Sequence, residues 1–178
     1  MANLDPYGVS TEPECRAVLE AVGLWGLVDE RGGLASGMTP DTLSQGQKQL
    51  FSLARAVLRR RVRARHRGEV YGKEAVAEDG GILLLDEVSS SVDKDTEREM
   101  QKVISHEFTG YTIVMVSHRL DVVMGFDRVV VMDKGELVET GRPADLVETE
   151  GSRFRELWLV GNNNGSGNGH GGQAARQP

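Results

Sequence analysis

The sequence predicts an α/β layered fold, and three observations predict it. Two continuous aliphatic runs of strand length, "GILLLDE" and "YTIVMVSH", read as strands of one sheet. Between them Met100, Val103 and Ile104 recur at helical spacing. Beyond them "DRVVVMDKGELVETG" reads as two strands joined by an Asp-Lys-Gly turn. The order strand, helix, strand, helix, hairpin implies parallel strands joined by right-handed crossovers.

Taken in order, Thr11 and Glu14 have the spacing of a capping box, and Cys15, Val18, Leu19 and Val22 then share one helical face before Gly23 and Gly26. A Gly- and Pro-bearing loop, "DERGGLASGMTPDT", carries the chain to Leu43. Leu50, Leu53, Ala54, Val57 and Leu58 give the next helix a buried face, from Ser44 to about Arg60. Gly80 and Gly81 lead into the first strand, whose unbroken aliphatic run predicts burial on both faces. "PADLVE" opens a helix with Pro143 early in it. The folded domain is expected over residues 1–160. The Gly- and Asn-rich stretch 161–178 has almost no apolar side chain to offset the entropy of ordering it and is expected to be disordered.

At 178 residues, 39% hydrophobic and 27% charged, the chain has the make-up of one soluble globular domain. A net charge of -6 argues against a general nucleic-acid binder. The single cysteine, Cys15, allows neither a disulfide framework nor a thiolate metal site and fits a reduced, intracellular setting. No apolar run approaches membrane-spanning length and the N-terminus has no signal-peptide pattern, so work at a membrane would need another anchor.

Three groups of residues carry chemistry. In "LSQGQ", Ser44 and Gln47 form a second capping box, which by itself explains a well-started helix. Gly46 supports a different reading: with no side chain, it lets backbone N–H groups meet an anion at a helix end whose dipole favours negative charge. The motif alone leaves the two readings level. Asp86 and Glu87 stand at the exit of a buried strand, the sheet edge where ligands gather. An Asp there can hold Mg²⁺ through a water, and the adjacent Glu can polarise an attacking water for phosphoryl transfer. His118 follows the second strand directly and could donate a hydrogen bond to a γ-phosphate. His66, His106 and His170 read as structural.

Together these residues resemble the ATP-binding cassette (ABC) family, the ATPase engine of ABC transporters. Leu43-Ser44-Gln45-Gly46-Gln47 is similar to the family's signature motif, Ile82 to Glu87 to the Walker B strand with its catalytic Glu, Ser90-Ser91-Val92-Asp93 to the D-loop, and His118 to the switch histidine. Asn3-Leu4-Asp5-Pro6 resembles the stretch after the Q-loop in the second cassette of the C subfamily, the multidrug-resistance and conjugate exporters. Gln45 stands where Gly is commoner.

The resemblance implies an incomplete P-loop NTPase of the ABC type, comprising part of the helical subdomain and the C-terminal half of the parallel-sheet core. It implies ATP and Mg²⁺ as ligands and two partners, a second cassette packed head to tail and the transmembrane domains of an exporter. The place of work would be the cytoplasmic face of a membrane. Ser44, Gln45, Gly46 and Gln47 would take the γ-phosphate of an ATP held by the partner cassette. Asp86 would serve Mg²⁺ through a water, Glu87 the attacking water, His118 the γ-phosphate, and Asp93 the contact between the two sites.

No GxxxxGK[ST] occurs in the sequence, so the chain alone is expected to bind ATP weakly and to hydrolyse it barely or not at all. A cassette that lacks the strands upstream of this segment is expected to expose apolar sheet surface and an unpaired edge. Residues 59–81, arginine-rich at the start, read as an insertion, either a solvated loop or a helix extension. Two rival readings stand beside the transporter ATPase. The C-terminal lobe of an SMC-type chromosome protein would need a heptad-repeat arm. A catalytically dead cassette that regulates an intact one would need only the signature face.

Overall fold

A computed structural model describes residues 3–37, 39–72, 80–87 and 92–165. They fall into two units, Met1–Val116 and Ser117–Pro178.

In the first unit the buried Asp5 carboxylate accepts the Ser10 N–H at 2.7 Å and also the Ser10 hydroxyl, which fixes the turn before α1 (Glu12–Ala21). The expected capping box starts this helix: Thr11 N–H donates to Glu14 Oε2 at 2.7 Å, and Cys15, Val18 and Leu19 are buried. Next comes α2 (Trp25–Glu30), a helix the sequence pattern does not predict. Six residues with a glycine among them are too few for a periodic signal. The loop that follows contains two single 3₁₀ turns, Gly33–Ala35 and Pro40–Thr42. It is closed by the Arg31 guanidinium, which donates at 3.0 Å to both Thr42 Oγ1 and the Thr42 carbonyl.

α3 (Gln45–Tyr71) begins after Ser44 as expected but does not stop near Arg60. It continues until Gly72, whose φ of 87° ends it. The basic run is helix because its arginines find acids. Arg61 Nη2 and Nε donate to Glu107 at 2.6 and 3.2 Å, Arg60 approaches the same carboxylate at 3.4 Å, and Arg65 binds Glu14 and the Val9 carbonyl. The first part of stretch 59–81 is therefore a helix extension; residues 73–79 lie outside the described residues.

β1 (Ile82–Asp86), α4 (Lys94–Glu107) and β2 (Thr112–Val116) form a βαβ unit. The strands pair in parallel from Ile82 with Thr112 to Asp86 with Val116. Leu83 and Leu85 point into a core with Phe51, Leu58, Met100 and Ile104. The opposite face is bare, which corrects the expected burial on both faces: Ile82 is 69% and Leu84 73% exposed, and Val114 and Val116 lie open beside them. The sheet has two strands among the described residues, with α3 and α4 packed on one side only.

The second unit opens with α5 (Leu120–Val123) and continues with the antiparallel pair β3 (Val129–Asp133) and β4 (Glu136–Gly141). Their turn has positive φ at both Lys134 and Gly135, 51° and 84°, the backbone a two-residue hairpin requires. α6 (Pro143–Glu148) has Pro143 in its first turn. The Glu139 carboxylate accepts the Ser152 hydroxyl at 3.1 Å and the Phe154 N–H at 2.8 Å, tying β4 to α7 (Arg153–Gly165) with Phe154 buried. That helix passes the expected end of the folded part near Val160 by five residues; positions 166–178 lie outside the described residues. Among the described residues no helix is long and apolar enough to cross a membrane.

Candidate functional site

The turn at Ser44 is built as the capping reading requires. Gln47 N–H donates to Ser44 Oγ at 3.1 Å, Ser44 N–H donates to Gln47 Oε1 at 3.0 Å, and Lys48 N–H closes the first turn on the Ser44 carbonyl at 2.9 Å. The amides of Gln45 and Gly46 come ahead of the first intrahelical donor, at the positive end of a helix of 27 residues. Ser44 and Gln45 are exposed. The arrangement therefore offers an exposed hydroxyl and two helix-end amides to an anion, while the capping box holds the turn rigid.

Gly46 has a packing reason as well. A Cβ there would stand 3.2 Å from Val92 Cγ1 and 3.7 Å from Thr96 Cγ2. The start of α3 thus lies against Val92 and the first turn of α4, and a side chain at position 46 would need Val92 to give way by a few tenths of an ångström. The sequence placed Ser44-Gln45-Gly46-Gln47 and Val92-Asp93 in two separate motifs; the fold brings Gly46 against Val92. Asp93 caps α4: its Oδ1 accepts the N–H of Asp95 at 3.1 Å and of Thr96 at 3.0 Å, and its Oδ2 accepts the Thr96 hydroxyl at 2.7 Å. The Thr96 N–H and hydroxyl, both donating, hold the Asp93 carboxyl below the ordinary aspartate range. Ser90 and Ser91 lie outside the described residues.

Asp86 ends β1 on its bare face, in line with Ile82 and Leu84, and is exposed. Glu87 adds one more rung to the ladder, its N–H donating to the Val116 carbonyl at 3.0 Å, and then turns into the left-handed region with φ 47°. A non-glycine residue there costs of order 1 kcal/mol or more, and such strain gathers at functional sites. Sequence pattern had no signal for it. Among the described residues no group of three His, Cys, Asp or Glu side chains could hold a metal ion. Two exposed acids side by side fit an ion such as Mg²⁺ that draws most of its ligands from water and phosphate. His118 belongs to the second unit, exposed in the bend before α5, where Ser117 Oγ accepts the Arg119 N–H at 3.0 Å.

Two further features escaped the sequence reading. One is the side chain of Glu107, 7% exposed and gripped by Arg60 and Arg61. Its partners lie 46 and 47 positions away, beyond the reach of local pattern. The other is an apolar groove of about 450 Å³ along the distal half of α3, with Leu4, Tyr7, Val62 and Val70 in its walls. Leu4, Asp5 and Pro6 of the opening motif line it, whereas Ser44, Asp86, Glu87, Asp93 and His118 do not.

No family model matches the chain. Among curated proteins, the ABC-type transporter braE of Annulohypoxylon truncatum is 63% identical over 161 residues, covering 90% of this chain and 11% of that protein. ABC transporter FGM5 of Gibberella zeae is 55% identical over 159 residues, 89% of this chain and 10% of the relative. ABC multidrug transporter B of Aspergillus fumigatus is 40% identical over 156 residues, 88% and 9%. In fold, the chain is similar to a bacterial Atm1-family ABC exporter solved with ATP bound, with a TM-score of 0.68 at 23% identity over 89% of this chain and 25% of that one. The chain spans about a tenth of the length of the curated relatives it matches. Over about nine tenths of its own length it is homologous to fungal ABC transporters.

Proposed function

We propose that this chain is the C-terminal portion of an ABC transporter's ATP-binding domain, coupling ATP binding and hydrolysis to transmembrane export in the intact transporter. The observation that carries the reading is the Ser44–Gln47 turn, an exposed and rigid helix start in a chain homologous to ABC transporters. In this account the turn closes on the γ-phosphate of an ATP bound by a second cassette. The Ser44 hydroxyl and the helix-end amides donate to its oxygens, where charge accumulates as the phosphoryl group transfers. At the other site, on the ATP of this chain's own cassette, Glu87 positions and polarises the attacking water. Its backbone leaves the extended region at φ 47° directly after β1. Asp86 would hold Mg²⁺ through a water, which would supply charge neutralisation at the phosphate oxygens. His118 donates to the γ-phosphate, and Asp93, fixed by its own capping bonds, meets the opposite cassette. The Asn3-Leu4-Asp5-Pro6 opening supports placement in a second cassette of the C subfamily.

The bare face of β1 and β2 supports the same reading, because a cassette core continues its sheet and covers both faces. Partners are a second cassette and the transmembrane domains, with the work done at the cytoplasmic face of a membrane. The test is Glu87→Gln in the intact transporter. Steady-state turnover is expected to fall by about a hundredfold or more, in line with the loss of a residue acting only in the transition state, while ATP binding is retained. Turnover within a few fold of the parent would remove Glu87 from this role.

A further inference from the structure

α3 and α4 touch at two separate places. At the first, Gly46 lies against Val92 and Thr96. At the second, Arg61 binds Glu107 through two hydrogen bonds of 2.6 and 3.2 Å, with Arg60 at 3.4 Å from the same carboxylate. Both contacts run in the same chain direction, so the helices lie side by side and parallel. From Gly46 to Arg61 is about 22 Å of helix at 1.5 Å per residue, and from Thr96 to Glu107 about 16 Å. The length of the arginine side chain makes up the difference. Contacts at the start of α3 and at Arg61 within it, matched to the start and end of α4, oppose both sliding and splaying of the two helices.

The second pin is strong for a physical reason. The Glu107 side chain is 7% exposed, and a charge so enclosed is tolerated only when paired and hydrogen-bonded. Arg61 supplies a planar, two-pronged partner that fits a carboxylate in one orientation. Phe108 and Tyr111 pack edge to face beside it, and the Arg60 guanidinium stands 6.0 Å from the Tyr111 ring. Arg60 and Arg61 thus lock the end of α4 to α3 just where the chain turns into β2.

We infer that Glu107, clasped by Arg60 and Arg61, is a positioning residue that makes the Ser44–Gln47 turn and Asp93 move as one body. The inference rests on the proposed function for its consequence. In that account the turn contacts one ATP and Asp93 contacts the opposite cassette, so a fixed spacing between them passes closure at one site to the other. Glu107 stands at the opposite end of α4 from Asp93. Its effect is carried by α3 and α4.

The test has two arms. In the 178-residue chain, nitroxide labels on Ser52→Cys and Arg98→Cys, both at exposed positions, report the distance between the two helices by double electron–electron resonance; the buried Cys15 stays unlabelled. Glu107→Gln is expected to widen the distance distribution at least twofold, and Lys102→Gln, which removes a surface charge from the same helix, to leave it unchanged. Should Glu107→Gln fail to fold, Arg61→Gln removes the other half of the clasp and is expected to give the same widening. A distribution unchanged in the folded variants would overturn the clasp. In the intact transporter, Glu107→Gln is expected to lower kcat for ATP about tenfold with KM within twofold, and Glu107→Asp to restore part of it. A widened distribution with unchanged kcat would overturn the positioning role. A parent transporter without ATP turnover would instead defeat the proposed function, and the distance measurement would still decide the clasp.

Discussion

At Gly46 the space for a side chain is already taken, since a Cβ would sit 3.2 Å from Val92. Gly46→Val should therefore destabilise the chain by about 1–3 kcal/mol in urea unfolding through overpacking. An effect below about 0.5 kcal/mol would mean that α4 yields at no cost. Glu107 gives a pH-dependent expectation. Hydrogen bonding from Arg61 holds its carboxyl below the ordinary glutamate range. A carboxyl lowered on folding contributes stability that is fully present above its unfolded value, about 4.3, and is lost as the pH falls through the folded value. Glu107→Gln should destabilise at neutral pH, by an amount on the order of 2 kcal/mol given that Arg61 is partly exposed, and should flatten the acid limb of the stability curve. Parallel curves for parent and variant below pH 4.3 and above it would contradict this.

Among the elements, the starts of α1 and α3 were legible and the end of α3 was not. Thr11 with Glu14 and Ser44 with Gln47 are local patterns, and both form the reciprocal bonds their spacing implies. The end of α3 depends on acids far away in sequence. Nothing between Arg60 and Gly72 says that Glu107 and Glu14 will receive the arginines. The acidic pair at Asp86 and Glu87 could be read from its place after four aliphatics, whereas the φ of 47° at Glu87 has no sequence signal, because a non-glycine residue gives no warning of a left-handed backbone. Capping predicts that Ser44→Ala costs about 1 kcal/mol and Ser44→Asp almost nothing, measured by thermal unfolding. Equal losses for both would show that the cap bond at 3.1 Å contributes little.

The molecule as a whole has a sheet that is half covered. An unbroken aliphatic strand is ambiguous between burial on both faces and burial on one, and the alternation of Ile82 and Leu84 outward with Leu83 and Leu85 inward cannot be read from "ILLL". The difference is measurable. Leu85→Ala should cost about 2–5 kcal/mol, because it empties a packed position. Leu84→Ser should cost less than about 0.5 kcal/mol and should reduce concentration-dependent association seen by light scattering. A large loss of stability at Leu84 would mean that its face is covered in solution.

The account's central claim, that the Ser44 turn acts on an ATP held by another cassette, is tested most directly by Ser44→Arg in the intact transporter, with ATP binding and turnover measured together. A large cation in the turn should abolish turnover while the other cassette's P-loop still binds ATP at unchanged affinity. Turnover equal to that of the parent would show that the turn is a helix cap and nothing more.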